Sequence, residues 1–132
     1  LGMSISEIFQ KKGEKFFRNV EEKITLKFLK KKNIVVSLGG GAFINKKIRE
    51  EIQKNHFSFW LNWNSDTLIR RIKKNTKRPI ALRSSPGELI DLIKKRSMVY
   101  SKSKFKINCE KLSKNEIVNK IINIYENKKT IS

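Results

Sequence analysis

The chain has 132 residues, with 31 Lys plus Arg against 12 Asp plus Glu, a formal charge of +19 and a pI near 10.3. That length suits one domain with a modest core and is too short for two. A single cysteine and a single histidine exclude an internal disulfide framework and speak against a protein-held zinc site, and no apolar run approaches the ~20 residues needed to span a membrane.

In chain order, Ser4-Ile5-Ser6-Glu7 followed by Ile8 and Phe9 has the form of a capping box opening a short helix, which Gly13 breaks. A second helix is expected from Glu14 to about Lys31, with Phe17, Val20, Ile24, Phe28 and Leu29 on its buried side. Ile34 to Leu38 is a β-branched run ending in three glycines and reads as a buried parallel strand. Lys46 to Lys54 reads as helix, Phe57 to Leu61 as a second buried strand, and Ser65-Asp66 as the cap of a helix to about Lys74. The polar stretch from Asn75 to Gly87 holds both prolines and is expected to be a mobile loop. Glu88 to Tyr100 is helical by the spacing of Leu89, Leu92, Ile93 and Arg96. A third strand near Phe105 to Ile107 and a helix from Lys114 to Tyr125 follow. Strands alternating with helices imply a parallel sheet covered on both faces.

Two features stand out chemically. Gly39-Gly40-Gly41 directly follows a predicted strand, where ligands of open α/β sheets bind and where bare backbone permits close approach; a plain tight turn would need fewer glycines. The second is a small set of arginines against a lysine background, since a planar guanidinium grips carboxylates and phosphates bidentately. Arg18 has Glu21 three residues on to orient it, Arg78 precedes Pro79 in the polar loop, and Arg96 lies on the inward spacing of its helix, where an unpaired charge would be costly. Arg49, Arg70 and Arg83 read as surface arginines.

Ser4-Ile-Ser-Glu-Ile-Phe9, Gly13-Glu14, Phe17-Arg18-Asn19-Val20-Glu21, Val36-Ser37-Leu38-Gly39-Gly40-Gly41-Ala42, Arg78-Pro79 and Lys95-Arg96 through Tyr100 occur in the order and spacing of shikimate kinases, and the chain resembles that family over nearly its whole length. The resemblance implies a three-layer αβα P-loop NTPase fold of the nucleoside monophosphate kinase type lacking its first two strands. It implies one partial domain over 1–132, with a substrate-binding segment about 1–45 and a lid about 75–87. It also implies ATP-dependent phosphorylation of the shikimate 3-hydroxyl, in aromatic amino-acid biosynthesis, with ATP and Mg2+ as cofactors.

Residue by residue, the resemblance gives Arg18 and Arg96 the shikimate carboxylate and gives Gly40 the ring hydroxyls. Gly39 and Gly41 keep that surface clear, Glu21 orients Arg18, and Phe9 and Phe17 wall the pocket. Arg78 is the catalytic lid residue that reaches the ATP phosphates, Arg71 and Lys111 flank the adenine, and Ser37 supports magnesium through water. Shikimate and ATP are the expected partners, with no nucleic acid and no membrane; the expected location is the cytoplasm and the complete protein is expected to be a monomer.

The chain contains no Gly-x-x-x-x-Gly-Lys-[Ser/Thr] loop, and Gly39 to Gly41 runs into Ala-Phe-Ile-Asn, so it cannot substitute. Nor does the chain hold the aspartate that the family carries just before the Ser-Ile segment. A first residue of Leu rather than Met fits a chain cut upstream. The isolated chain is therefore expected to expose strand edges, to fold weakly and not to turn over shikimate. A kinase remnant that binds ligand or partner without catalysis, a related small-molecule kinase acting for instance on gluconate, and, more distantly, a basic nucleic-acid-binding module with Phe59, Trp60 and Trp63 are the alternatives.

Overall fold

The computed structural model describes residues 2–74 and 85–131, with side chains to residue 128. Helix α1 (Ile5–Lys12) starts at Ser4, whose hydroxyl accepts the Glu7 amide, and ends at Gly13. Gly13 has φ +86°, a backbone conformation that L side chains rarely adopt, and it starts α2 (Glu14–Leu29) at once. Two helices in tandem thus meet at one residue, as the sequence predicts.

The inward face of α2 is rotated from its expected position. Leu29 is buried and Leu26 packs with it, while Ile24 and Phe28 are exposed. The cause is the position of the partner: α2 packs on α3 (Lys46–Asn55) and on the 3-10 turn Ala42–Ile44, so the face toward those elements is the one covered. Asn45 caps α3 by accepting the Ile48 amide and donates to Glu22 of α2 at 2.6 Å, which ties the two helices together. The resulting core joins Leu29, Ala42, Phe43, Ile48 and Ile52, with Leu38, Val99 and Tyr100 against it.

Residues 34–38 form no strand, against expectation. Val35 is fully exposed, and Ile34 and Val36 are exposed as well. A strand exists only through a hydrogen-bonded neighbour, and this segment pairs with nothing among the described residues.

The sheet consists of β1 (Phe59–Asn62) and β2 (Phe105–Asn108), parallel, with Phe59 opposite Phe105 and Asn62 opposite Asn108. Successive strand residues face opposite ways. Phe59 and Ile107 therefore point to one face, where they pack with Cys109 and with Ile117, Ile121 and Ile124 of α6 (Lys114–Ile131). Trp60 turns to the other face and meets Tyr100 of α5 (Pro86–Tyr100), ring centroids 6.2 Å apart. Helices therefore cover both faces of a small parallel sheet, in the three-layer arrangement expected.

Helix α4 (Ser65–Lys74) has a terminus held from outside. Glu110, just past β2, accepts the Asn64 amide at 3.0 Å and the Thr67 hydroxyl at 2.6 Å. These bonds, Thr67 first, hold its carboxyl below the usual carboxylate range. Helix α5 begins earlier than expected: Ser85 and Glu88 form a reciprocal capping box around Pro86, so residues 85–87 open a helix and do not belong to a loop. The rest of the expected loop, 75–84, lies outside the described residues. No helix among the described residues is long and apolar enough to cross a membrane.

Candidate functional site

Helices α2 and α5 are far apart in sequence, yet each delivers a guanidinium to the glycine turn. Arg18 sits on α2, one face in from solvent, where its Nη1 donates to Glu21 Oε1 at 2.9 Å and its Nε lies 3.7 Å from Glu14. The i, i+3 spacing brings Glu21 under Arg18 and fixes the fork. Phe17 lies beneath that guanidinium at 5.2 Å, and Phe9 of α1 packs on Phe17 with centroids 4.9 Å apart. Phe9, Phe17, Arg18 and Glu21 are thus one assembly across the α1–α2 junction.

Glycine is required on the other side of the gap. A Cβ at Gly41 would stand 2.3 Å from Arg18 Nη1, and one at Gly40 would stand 2.6 Å from Arg96 Nη1. A Cβ at Gly39 would meet Glu21 Oε2 at 3.7 Å, an ordinary contact. Two of the three glycines therefore make room for the two arginines, a tighter reason than a turn alone supplies. Seen from the glycines, Arg18, Glu21, Arg96 and the backbone of 39–41 form one cluster.

The hydrogen bonding of the turn is lopsided. The Gly39 carbonyl accepts the Ala42 amide, the Gly41 carbonyl accepts the Ile44 amide, and the Gly40 carbonyl accepts the Tyr100 hydroxyl. No hydrogen bond occupies the amides of Gly39, Gly40 or Gly41 among the described residues. Arg96 likewise has no hydrogen bond or ion pair among them, whereas Arg18 has two carboxylates. The cluster is rich in donors and poor in acceptors, which suits a ligand bearing a carboxylate and hydroxyls.

Residues of the expected nucleotide side lie apart from these contacts. Arg71 is exposed on α4 and stacks on Trp63, its Cζ 4.0 Å from the ring centroid. Lys111 is exposed in the turn after β2, and Arg78 lies outside the described residues. Ser37 is exposed in an open cleft of about 410 Å³ with Phe28, Lys31, Ile34, Val35 and Val36.

Two residues escaped the sequence reading. Tyr100 reaches Gly40 from four positions beyond Arg96, one turn along the same face of α5, so helical spacing was an available signal. Arg49, read as a surface arginine, instead donates to the carbonyls of Phe43 and Ile44 at 3.0 and 2.9 Å and closes the 3-10 turn. Nothing local in the sequence marks that role.

Comparison with known proteins follows the same lines. The family model for shikimate kinase (SKI) matches residues 1–126. Shikimate kinase of Bartonella henselae is 36% identical over 121 residues, which is 91% of this chain and 58% of that protein. That of Bartonella quintana is 36% identical over 126 residues, 95% of this chain and 60% of that protein. The chain thus spans 58–60% of the length of these two relatives. Among solved structures, the Acinetobacter baumannii shikimate kinase in complex with shikimate superposes with a TM-score of 0.88 at 25% identity, covering 97% of this chain and 73% of that one. The Aquifex aeolicus enzyme gives 0.79 at 28% identity, covering 96% and 74%.

Proposed function

This chain belongs to the shikimate kinase family, and from that premise we propose that it forms the shikimate-binding part of an enzyme that transfers the γ-phosphoryl of ATP to the 3-hydroxyl of shikimate. The observation that carries the reading is the donor-rich gap between Arg18 and Arg96, floored by three glycines whose amides carry no hydrogen bond among the described residues. In this reading the two guanidiniums hold the substrate carboxylate. Gly40 offers its backbone to the ring hydroxyls, and Gly39 and Gly41 leave the space open. Glu21 keeps the Arg18 fork in position, and the Phe9–Phe17 pair supplies an apolar wall.

Arg96 contributes most to charge recognition. Its positive charge has no carboxylate beside it among the described residues, so an incoming anion gains its full attraction. Arg18, already flanked by Glu14 and Glu21, contributes direction more than net charge.

The donor half of the reaction is a different matter. ATP and magnesium belong to the family's chemistry, and when bound they supply the phosphoryl group and neutralise its charge. The described residues do not fit a magnesium ion: no group of three His, Cys, Asp or Glu side chains converges, and Ser37 is a lone hydroxyl in a cleft of apolar side chains and a lysine. The chain also holds no phosphate-loop motif. No step of the transfer is therefore assigned to these residues. Arg71 and Lys111 stand as candidates for the adenine side, and Arg78 for the phosphates.

Calorimetric titration of shikimate into the chain tests the acceptor site. Binding is expected, and Arg18→Lys and Arg96→Lys should each weaken it by about tenfold or more, because an ammonium cannot grip a carboxylate bidentately. A wild-type chain that binds no shikimate, or lysine variants that bind it equally well, would sink the reading.

A further inference from the structure

We propose that Tyr100 is a positioning residue of the shikimate site, its hydroxyl locking the Gly40–Gly41 peptide so that the Gly41 amide faces a fixed direction. The inference rests on the acceptor-site reading above and extends it to a residue outside the first layer of contacts.

Consecutive glycines impose little steric limit on the peptide that joins them, so that peptide rotates unless something holds it. The flanking carbonyls are held locally, Gly39 by the Ala42 amide at 3.1 Å and Gly41 by the Ile44 amide at 3.2 Å. The Gly40 carbonyl has no local partner and is taken by the Tyr100 hydroxyl, 60 residues along the chain. The Gly40–Gly41 peptide is trans, so in this planar unit the Gly41 N–H points opposite to the held carbonyl, away from Tyr100. Fixing one end of the peptide fixes the other.

The mount is rigid. The Tyr100 ring lies 6.5 Å from Phe43 in the first core and 6.2 Å from Trp60 on the sheet. Arg96, one turn earlier on α5, sits against Gly40 from the same side. One helix face therefore supplies the charge of the site and, through the Gly40 carbonyl, the anchor for its backbone donor.

The test is Tyr100→Phe in the full 132-residue chain, which keeps the ring and removes the hydroxyl alone. Three readouts are compared with the wild type: the nitrogen-15 resonance and hydrogen exchange of the Gly41 amide without ligand, shikimate affinity by calorimetry, and folded fraction by circular dichroism. The expected result is a shifted, faster-exchanging Gly41 amide and an affinity weakened about fivefold to tenfold, as for loss of one hydrogen bond, at matched folded fraction. An unchanged Gly41 amide, or an affinity within about twofold of wild type, overturns the proposal. Should Tyr100→Phe fold poorly, 3-fluorotyrosine at position 100 serves instead: a stronger donor of the same shape must shift the Gly41 amide, and no shift overturns the proposal. If the wild-type chain itself binds no shikimate, the acceptor-site reading fails, while the Gly41 amide still decides whether Tyr100 holds the turn.

Discussion

Residues 34–37 and residues 38–48 are adjacent in sequence, both bear apolar side chains, and their fates are opposite. In the first stretch Val35 is 100% exposed and its neighbours line an open cleft. In the second, Leu38 packs into the core, Ala42 and Phe43 are buried, and Ile48 is 0% exposed. The difference lies in partners, since β-branched side chains bury only when a neighbouring element presents a face to them. The second stretch has α2, α3 and α5 around it; the first pairs with no strand among the described residues and lines an open cleft with Phe28 and Lys31. The candidate site begins where that packing begins.

The sharpest way to break this comparison is a pair of truncations. Ile48→Ala should cost about 2–5 kcal/mol by leaving a cavity, whereas Val35→Ala should change stability by less than about 0.5 kcal/mol. Urea melts of both variants decide it, and equal midpoints would mean that the two stretches are not distinct. A subtler probe acts on the glycine turn itself. Gly41 has φ −95° and ψ −11°, which alanine adopts without strain, so Gly41→Ala should leave stability near wild type. Its new Cβ must nevertheless push the Arg18 guanidinium aside, and shikimate affinity should fall about tenfold, the scale of one charge-assisted hydrogen bond. Calorimetry and a thermal melt on the same sample separate the two effects.

The smallest expected effect concerns exposed Glu110, which follows the core that Ile107, Cys109 and Ile117 form on one face of the sheet. Because hydrogen bonds from Thr67 and Asn64 depress the Glu110 carboxyl, its contribution is fully present above the ordinary glutamate value of about 4.3 and is lost as pH falls through the lower folded value. The melting temperature of the wild type should therefore drop on acidification below about pH 4.5, and Glu110→Gln should flatten that drop. An identical acid slope in both chains would remove Glu110 from the account. Cys109, buried in that same core and pushed up in pKa by burial, stays a thiol throughout.

Local patterning made much of this legible. The α1 cap at Ser4, the break at Gly13, the helix from Lys46 and the strands near 59 and 105 are all signalled within a few residues of where they occur. What patterning cannot supply is the identity of the partner. It placed Ile24 and Phe28 inward because it had no means of knowing which side α3 would occupy, and it made a strand of 34–38 because strand chemistry does not reveal whether a neighbour exists. The start of α5 carries a local signal in Ser85, Pro86 and Glu88, inside a polar stretch whose two prolines read as loop. At the site, the Arg18–Glu21 pair follows from spacing alone. The seat of Arg96 on Gly40 and the anchor from Tyr100 are long-range contacts that no local window contains.

That separation has a kinetic side. The contact between Tyr100 and Gly40 closes a loop of 60 residues, and closure entropy must be overcome before such a contact contributes anything. Short-range pieces such as the α1–α2 junction can form early, with Arg18 already paired to Glu21. The gap between Arg18 and Arg96 comes into existence only when α5 arrives. During refolding, shikimate should therefore find no binding partner until the final docking step, and its presence should slow unfolding while leaving the rate of folding unaltered.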